Sequence, residues 1–301
     1  MIISHLMGGL GNQMFEYAAA LSLAIRRNTI LKLDTSFFHE GNVDGRNYAL
    51  ECFNVTAQFA TADEIWKLNG KLGRKQALAR KVFLALGQGR LADLLGVNGQ
   101  AHYQKQWAFY PEFHELPDNT WLHGNYQSEK FFSPVADILR HQFTFRYPQN
   151  SAVEVITAQI KSGPSVAVHI RRGDYANNKE FSRGIGVLPK DYYDNAIDIM
   201  QSKIGNKATF YLFSDDDESG DGVWSSAERS VWVKCCSTAN AYDAMRLMSL
   251  CDHNIIANST FSWWGAWLNA NTGKTVIAPK QWFAGYRHSE RDICPAEWLR
   301  V

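Results

Sequence analysis

Four short polar clusters in this sequence combine residue types and spacings suited to holding an anion. His169-Ile170-Arg171-Arg172-Gly173-Asp174 sets two adjacent guanidiniums beside an imidazole and a carboxylate. Each guanidinium is a rigid fork of donors that matches phosphate oxygens, and Asp174 is spaced to orient one of them. Asn258-Ser259-Thr260 offers an amide, two hydroxyls and the N–H groups of the helix it begins, again suited to an anion. Gly8-Gly9-Leu10-Gly11-Asn12-Gln13 opens a helix with small residues that let a backbone approach a pyrophosphate. Met14 stands where the last glycine of G-x-G-x-x-G would fall and the P-loop lysine is missing, so the fingerprint is incomplete. Ser214-Asp215-Asp216-Asp217 reads two ways. Asp215-x-Asp217 matches a metal-binding D-x-D, while one aspartate there would equally accept hydrogen bonds from a ribose or a base. The arginines already bring the positive charge of a metal, so no metal is expected. Each cluster also has a plain structural reading: a salt bridge, a tight turn, a helix cap.

These clusters need elements that bring them together. Ile2 to Leu6 reads as an apolar strand, about Gln13 to Arg27 as a helix, and Ile30 to Leu33 as a second strand, which completes a βαβ unit. From about Thr35 to Asn119 the pattern is irregular, apart from a capping box at Thr61-Ala62-Asp63-Glu64 and a basic amphipathic helix over Lys71 to Leu86. Beyond that the pattern is cleaner. Strands are expected at Ser165–Ile170, Ala208–Phe213, Ser230–Lys234, Asn254–Ala257 and Thr275–Ala278. Helices are expected at Asp191–Ile204, Ala239–Cys251 and Thr260–Asn269. Short apolar strands alternating with helices predict α/β structure with parallel sheets covered on both faces. Ligands of such sheets bind beyond the carboxyl ends of the strands, and all four clusters fall at such ends. Tyr147-Pro148-Gln149-Asn150-Ser151 marks a boundary, giving domains 1–150 and 151–301.

Composition narrows the classes. The chain has 301 residues, enough for about two domains. Lys plus Arg total 31 against 30 Asp plus Glu, a formal charge of +1, which excludes nucleic-acid binding through gross charge. Cys52, Cys235, Cys236, Cys251 and Cys294 are odd in number and lack C-x-x-C spacing, so they read as reduced, buried thiols. No apolar run approaches the ~18 residues of a membrane span. Arg26 and Arg27 follow the apolar Ala18–Ile25 stretch rather than precede it, unlike a signal peptide. The expectation is a cytoplasmic protein, compatible with peripheral attachment to the inner face of a membrane. Trp263, Trp264 and Trp267 read as core.

Three long motifs, Gly8 to Ala20, Val168 to Tyr175 and Asn258 to Trp267, occur in order across both halves. Together they resemble the bacterial α-1,2-fucosyltransferases of glycosyltransferase family 11. The H-x-R-R-x-D element is also similar to one in α-1,6- and protein O-fucosyltransferases. The resemblance implies a GT-B-type architecture, with two Rossmann-like domains facing across a cleft, the first on the acceptor side and the second binding GDP-fucose. It implies a galactoside 2-α-L-fucosyltransferase that inverts the anomeric centre and needs no metal or other cofactor. The acceptor would be a galactose-terminated oligosaccharide, in an O-antigen or of the lactose type. By the same resemblance Arg171 and Arg172 contact the donor diphosphate and, with Asp174, form the catalytic set. His169 and an aspartate of the run, Asp215, contact guanine or ribose. Asn258, Ser259 and Thr260 hold phosphates, with Phe261 and Ser262 beside them. Gly11, Asn12 and Gln13 approach the donor from the other domain.

The residues leave a catalytic base open. A base helps even a dissociative transfer, and Asp174, Glu180 and Glu16 are the carboxylates in question, with Asp174 better read as an orienter of arginine. Other classes also stay open: a metal-dependent glycosyltransferase using Asp215-x-Asp217, a non-catalytic nucleotide-sugar-binding protein, and, through Asp34 at the end of the second strand, a dinucleotide oxidoreductase.

Overall fold

The computed structural model describes residues 1–39, 45–69, 100–172, 183–215, 229–234, 241–285 and 289–301. They form two compact units, Met1–Glu51 with Val55–Gln142, and Cys52–Asn54 with Phe143–Val301.

The first unit opens as the βαβ pattern expects. Strand β1 (Ile2–His5) leads into helix α1 (Leu10–Arg26) and strand β2 (Leu31–Asp34). Ile2, Ile3, Leu31 and Leu33 are buried, as both faces of a covered parallel sheet require. Almost every residue of α1 from Gly11 to Ala24 is buried. Among the described residues, the stretch expected to be irregular holds strands β3 (Gln58–Phe59) and β4 (Gln100–Tyr103), and the capping box opens helix α2 (Ala62–Asn69). Strand β5 (Thr120–His123) and helix α3 (Ala136–Gln142) follow. Gln100-Ala-His-Tyr and Thr120-Trp-Leu-His are short and not clearly alternating, so hydrophobic periodicity does not reveal them. The five strands are parallel in the order β3-β2-β1-β5-β4. The capping box is present: Thr61 N–H donates to Glu64 Oε2 at 2.9 Å, and Glu64 N–H donates to Thr61 Oγ1 at 3.3 Å. The helix expected over Lys71 to Leu86 lies outside the described residues.

The second unit begins at Phe143, before the boundary expected near residue 150, and it includes Cys52–Asn54. The reason is local pairing. Arg146 N–H donates to the Cys52 carbonyl at 2.8 Å, and the Phe53 and Phe145 rings lie 5.1 Å apart. The unit then runs α4 (Ser151–Lys161), β6 (Ser165–Ile170), α5 (Lys190–Ile204), β7 (Thr209–Ser214), β8 (Ser230–Trp232), α6 (Ala241–Leu250), β9 (His253–Ile255), α7 (Thr260–Leu268), β10 (Val276–Ala278) and β11 (Leu299–Arg300). Its six strands are all parallel, ordered β11-β10-β9-β6-β7-β8. Val166, Val168 and Ile170 of β6 pack with Tyr193, Ala196, Ile197 and Met200 of α5 and with Phe210 and Leu212 of β7. Two α/β units built on parallel sheets give the expected GT-B-type fold class. No helix among the described residues is long and apolar enough to cross a membrane. Cys52, Cys251 and Cys294 are buried.

The tryptophans of α7 are core. Trp263, Trp264 and Trp267 are buried, and Trp263 Nε1–H donates to the Ile293 carbonyl at 2.7 Å. Gly265 lets α7 approach α6, because a Cβ there would stand 3.1 Å from Met248 Cβ. Gly265→Leu is expected to lower stability by about 1–3 kcal/mol through overpacking. The urea midpoint measures this, and an unchanged midpoint would contradict the contact.

Candidate functional site

The site in the second unit starts where β6 ends. The β6–β7 register pairs His169 with Phe213 and Ile170 with Ser214, so Arg171 and Arg172 leave the sheet beside Asp215. The Asp215 carboxylate binds both arginines, by different groups. Oδ2 pairs with Arg171 Nη1 at 2.8 Å, and Oδ1 accepts the Arg172 main-chain N–H at 2.9 Å. The buried Tyr193 hydroxyl, on α5, also bonds the Arg171 main chain. The peptide that follows β6 is therefore tied to the next strand and to the covering helix. The Arg171 guanidinium is held at the sheet's carboxyl end, and the backbone from which Arg172 projects is fixed beside it.

This adds a positioning task to the nucleoside contact expected of Asp215. Its oxygens hold the arginines, which is the orienting task the sequence suggested for Asp174. Asp174 itself, with Glu180, Asp216 and Asp217, lies outside the described residues. No group of three or more His, Cys, Asp or Glu side chains that would suit a metal occurs among the described residues.

His169 sits below the arginines and is buried. Its ring lies 5.7 Å from that of Phe261, in the first turn of α7, which joins the end of β6 to that helix start. Its Nδ1 makes no hydrogen bond within the described structure. A buried polar atom left this way costs roughly 1–3 kcal/mol, which a bound ligand group would offset.

The start of α7 is the site's other half. Ser259 caps the helix, its Oγ accepting the Phe261 N–H at 3.3 Å. Thr260 and Phe261 are partly exposed at this N-terminus, where N–H groups and the helix dipole favour negative charge. Two residues expected on the donor make hydrogen bonds within the protein. The Asn258 amide donates to the carbonyls of Ile185, Gly186 and Trp282 at 3.0–3.2 Å, tying two loops together. Ser262 is fully buried, and its hydroxyl bonds the Ala257 and Ser259 carbonyls.

The glycine turn of the first unit shows the same division. Gly8 has φ +64°, a left-handed conformation that suits glycine, and a Cβ there would meet Asn12 Nδ2 at 2.7 Å. Gly9 precedes α1 in extended conformation. Gln13, expected near the donor, is fully buried. It donates to the Gly8 and Asn47 carbonyls at 3.0 and 2.9 Å and accepts the Ala49 N–H at 2.9 Å. Gly11 is buried in the first turn of α1, and Asn12 Oδ1 accepts from Gln127 Nε2 at 3.3 Å. Glu16 is also structural. Its Oε2 accepts the Met7 N–H at 2.8 Å, and burial raises its carboxyl well above the usual range, so it is held protonated. One cation here went unread in the sequence: a Cβ on Gly9 would stand 3.6 Å from Arg46 Nη1. Nothing in the Gly45-Arg46-Asn47 spacing announces it.

Burial first, and then the Arg171 charge, lower the His169 imidazole from 6.5 to about 4, against an opposing pull from Asp215. The ring is neutral at pH 7. The unfolded chain takes up this proton near pH 6.5 and the folded chain only near 4, so the associated stability is complete above 6.5 and is lost as pH falls towards 4. His169→Gln is expected to flatten the pH dependence of the urea midpoint across that window. A dependence as steep as the parent's would contradict the assignment.

Comparison with known proteins bears on what this site belongs to. Residues 99–301 match the family model for glycosyl transferase family 11. The chain is 30% identical to the O-antigen biosynthesis glycosyltransferase WbnK of Escherichia coli, over 99% of each chain. It is also 30% identical to an alpha-1,2-colitosyltransferase of Escherichia coli, over 100% of this chain and 98% of that one. Among solved structures, a mutant of Arabidopsis thaliana FUT1 in complex with GDP matches 98% of this chain and 72% of its own, with a TM-score of 0.51 at 13% identity, a likeness of fold. The arginine pair at the end of β6 thus stands in a chain that belongs to glycosyl transferase family 11.

Proposed function

We propose that this glycosyltransferase moves L-fucose from GDP-fucose, with inversion, to the 2-hydroxyl of a terminal galactose in a glycan such as an O-antigen. The observation that carries the reading is the Asp215 brace on Arg171 and Arg172. Breaking the anomeric C–O bond leaves a diphosphate that gains negative charge and a sugar with oxocarbenium character. Donors fixed in advance where that charge develops lower the barrier by about 3 kcal/mol each, roughly a hundredfold in rate. In this reading Arg171 and Arg172 face the diphosphate, Thr260 and the α7 N-terminus take further phosphate oxygens, and neutral His169 offers its Nδ1 to the nucleoside. Asp215 acts through the arginines as a positioning residue. The paired guanidiniums stand in for a divalent ion, so the reaction needs no metal. Cytoplasmic action on a lipid-linked or free galactoside belongs to the same proposal.

A second donor has a specific argument in its favour, since one of the 30%-identical relatives is named for colitose transfer. Colitose is fucose without its 3-hydroxyl, and the diphosphate chemistry is the same for both. A GDP-release assay with the two GDP-sugars against a panel of galactosides, followed by linkage analysis, separates them.

Arg172→Ala is expected to cut turnover at least about a hundredfold with the melting temperature unchanged, and Arg172→Lys to recover little, because a point charge does not replace the fork. Activity is expected to survive excess EDTA. Near-normal turnover by Arg172→Ala, or full loss in EDTA restored by manganese, would overturn the mechanism.

A further inference from the structure

The first unit ends four neighbouring strands on residues that could do chemistry. Asp34 closes β2, His5 closes β1, His123 closes β5 and Tyr103 closes β4. The register aligns them: His5 pairs with Asp34, Tyr103 pairs with His123, and β1 runs beside β5 with Ser4 opposite Leu122, one residue before His5 and His123. A carboxylate, two imidazoles and a phenol therefore form one row along the carboxyl edge of the sheet. Parallel sheets take ligands at this edge.

The row is stacked and braced. The His5 and His123 rings lie 5.1 Å apart at 19°, and Trp121 stacks on His123 at 5.5 Å and 17°. Tyr103 stands beside both, at 5.2 Å from His123 and 5.7 Å from Trp121, with 48% of its surface exposed. Below the row, Trp121 Nε1–H donates to Asp34 Oδ2 at 2.8 Å, and Ser36 N–H donates to Asp34 Oδ1 at 3.0 Å. The loop after His123 is pinned, because Gln104 Oε1 accepts the Asn125 and Tyr126 N–H groups at 2.8 and 3.0 Å.

The two imidazoles meet Nδ1 to Nδ1 at 3.0 Å. Such a bond needs a proton on one nitrogen and a lone pair on the other. When both rings are neutral their tautomers are opposite, so one Nε2 carries a proton and the other a lone pair. One ring must keep its Nδ1 lone pair, so the bonded pair holds at most one positive charge, and Asp34 adds a negative one. The nearest lysine along β2, Lys32, is spent on Glu64 at 2.5 Å. The row itself therefore does not suit a diphosphate. Its chemistry suits a neutral ring with an apolar face for the aromatics and a rim of hydroxyls that both give and accept hydrogen bonds.

We propose that Tyr103, His123 and His5 form the subsite for the galactose ring of the acceptor, with Tyr103 as the stacking face, the histidine pair reading ring hydroxyls and buried Asp34 bracing the row from below. This rests on the reading of the chain as a galactoside-using transferase and adds to it the residues that bind the sugar. Saturation-transfer NMR of methyl β-D-galactopyranoside and of lactose with the full chain tests binding without turnover, and calorimetry with GDP reports the donor side separately. The parent is expected to show transfer to both galactosides. Tyr103→Ala, at an exposed position that leaves folding intact, is expected to reduce it about fivefold, the loss of one aromatic contact, and Tyr103→Phe to retain it. His123→Asn is expected to lose the signal as well, with GDP affinity unchanged. No transfer to the parent, or full transfer to Tyr103→Ala, would overturn the subsite. GDP failing to bind the parent would instead overturn the donor reading.

Discussion

The account depends on one carboxylate bridging two neighbouring residues by different groups: Asp215 takes the Arg171 guanidinium on one oxygen and the Arg172 main-chain N–H on the other. The side-chain pair alone would fix one charge. The main-chain bond adds direction, because it sets the path of the peptide from which Arg172 projects. The pair is only partly buried, so its worth lies less in stability than in geometry. The Arg171 side chain and the backbone that carries Arg172 are ordered before any ligand arrives, and that ordering would otherwise be lost entropy at the moment of binding.

Both sheets follow the same logic. Their strands are parallel and covered on both faces, so their interiors admit apolar residues and their polar residues gather at the ends. In the second unit the carboxyl end gathers cations and a helix N-terminus. In the first unit the strand ends gather aromatic rings, imidazoles and a carboxylate. In the proposed reading the first of these edges takes the donor's negative charge and the second a neutral, partly apolar ring.

Much of the candidate site was legible because its residue types are unusual where they stand. Two arginines directly after a six-residue apolar strand have no place in a sheet interior, and Ser259 before an apolar helix is a cap in any context. The amides were less legible. Asn12, Gln13 and Asn258 look alike as candidate ligand contacts, but a side-chain amide serves its own main chain as readily as a ligand. Only the tertiary fold reveals that Gln13 staples the loop around Asn47 and Ala49, and that Asn258 holds the loops at Ile185 and Trp282. Asp215 was read as a contact to the nucleoside for the same reason: a carboxylate at a strand end does not announce its partner. The row of the first unit was invisible. Its members stand up to 118 residues apart, and each is merely the polar last residue of a short strand.

The most direct measurement is a crystal structure of the chain with GDP, grown with manganese present. The account predicts the diphosphate against the guanidiniums of Arg171 and Arg172 and the first turn of α7, with Asp215 still bound to both arginines and no metal on it. A diphosphate held through manganese on Asp215, or lying away from the end of β6, would contradict it.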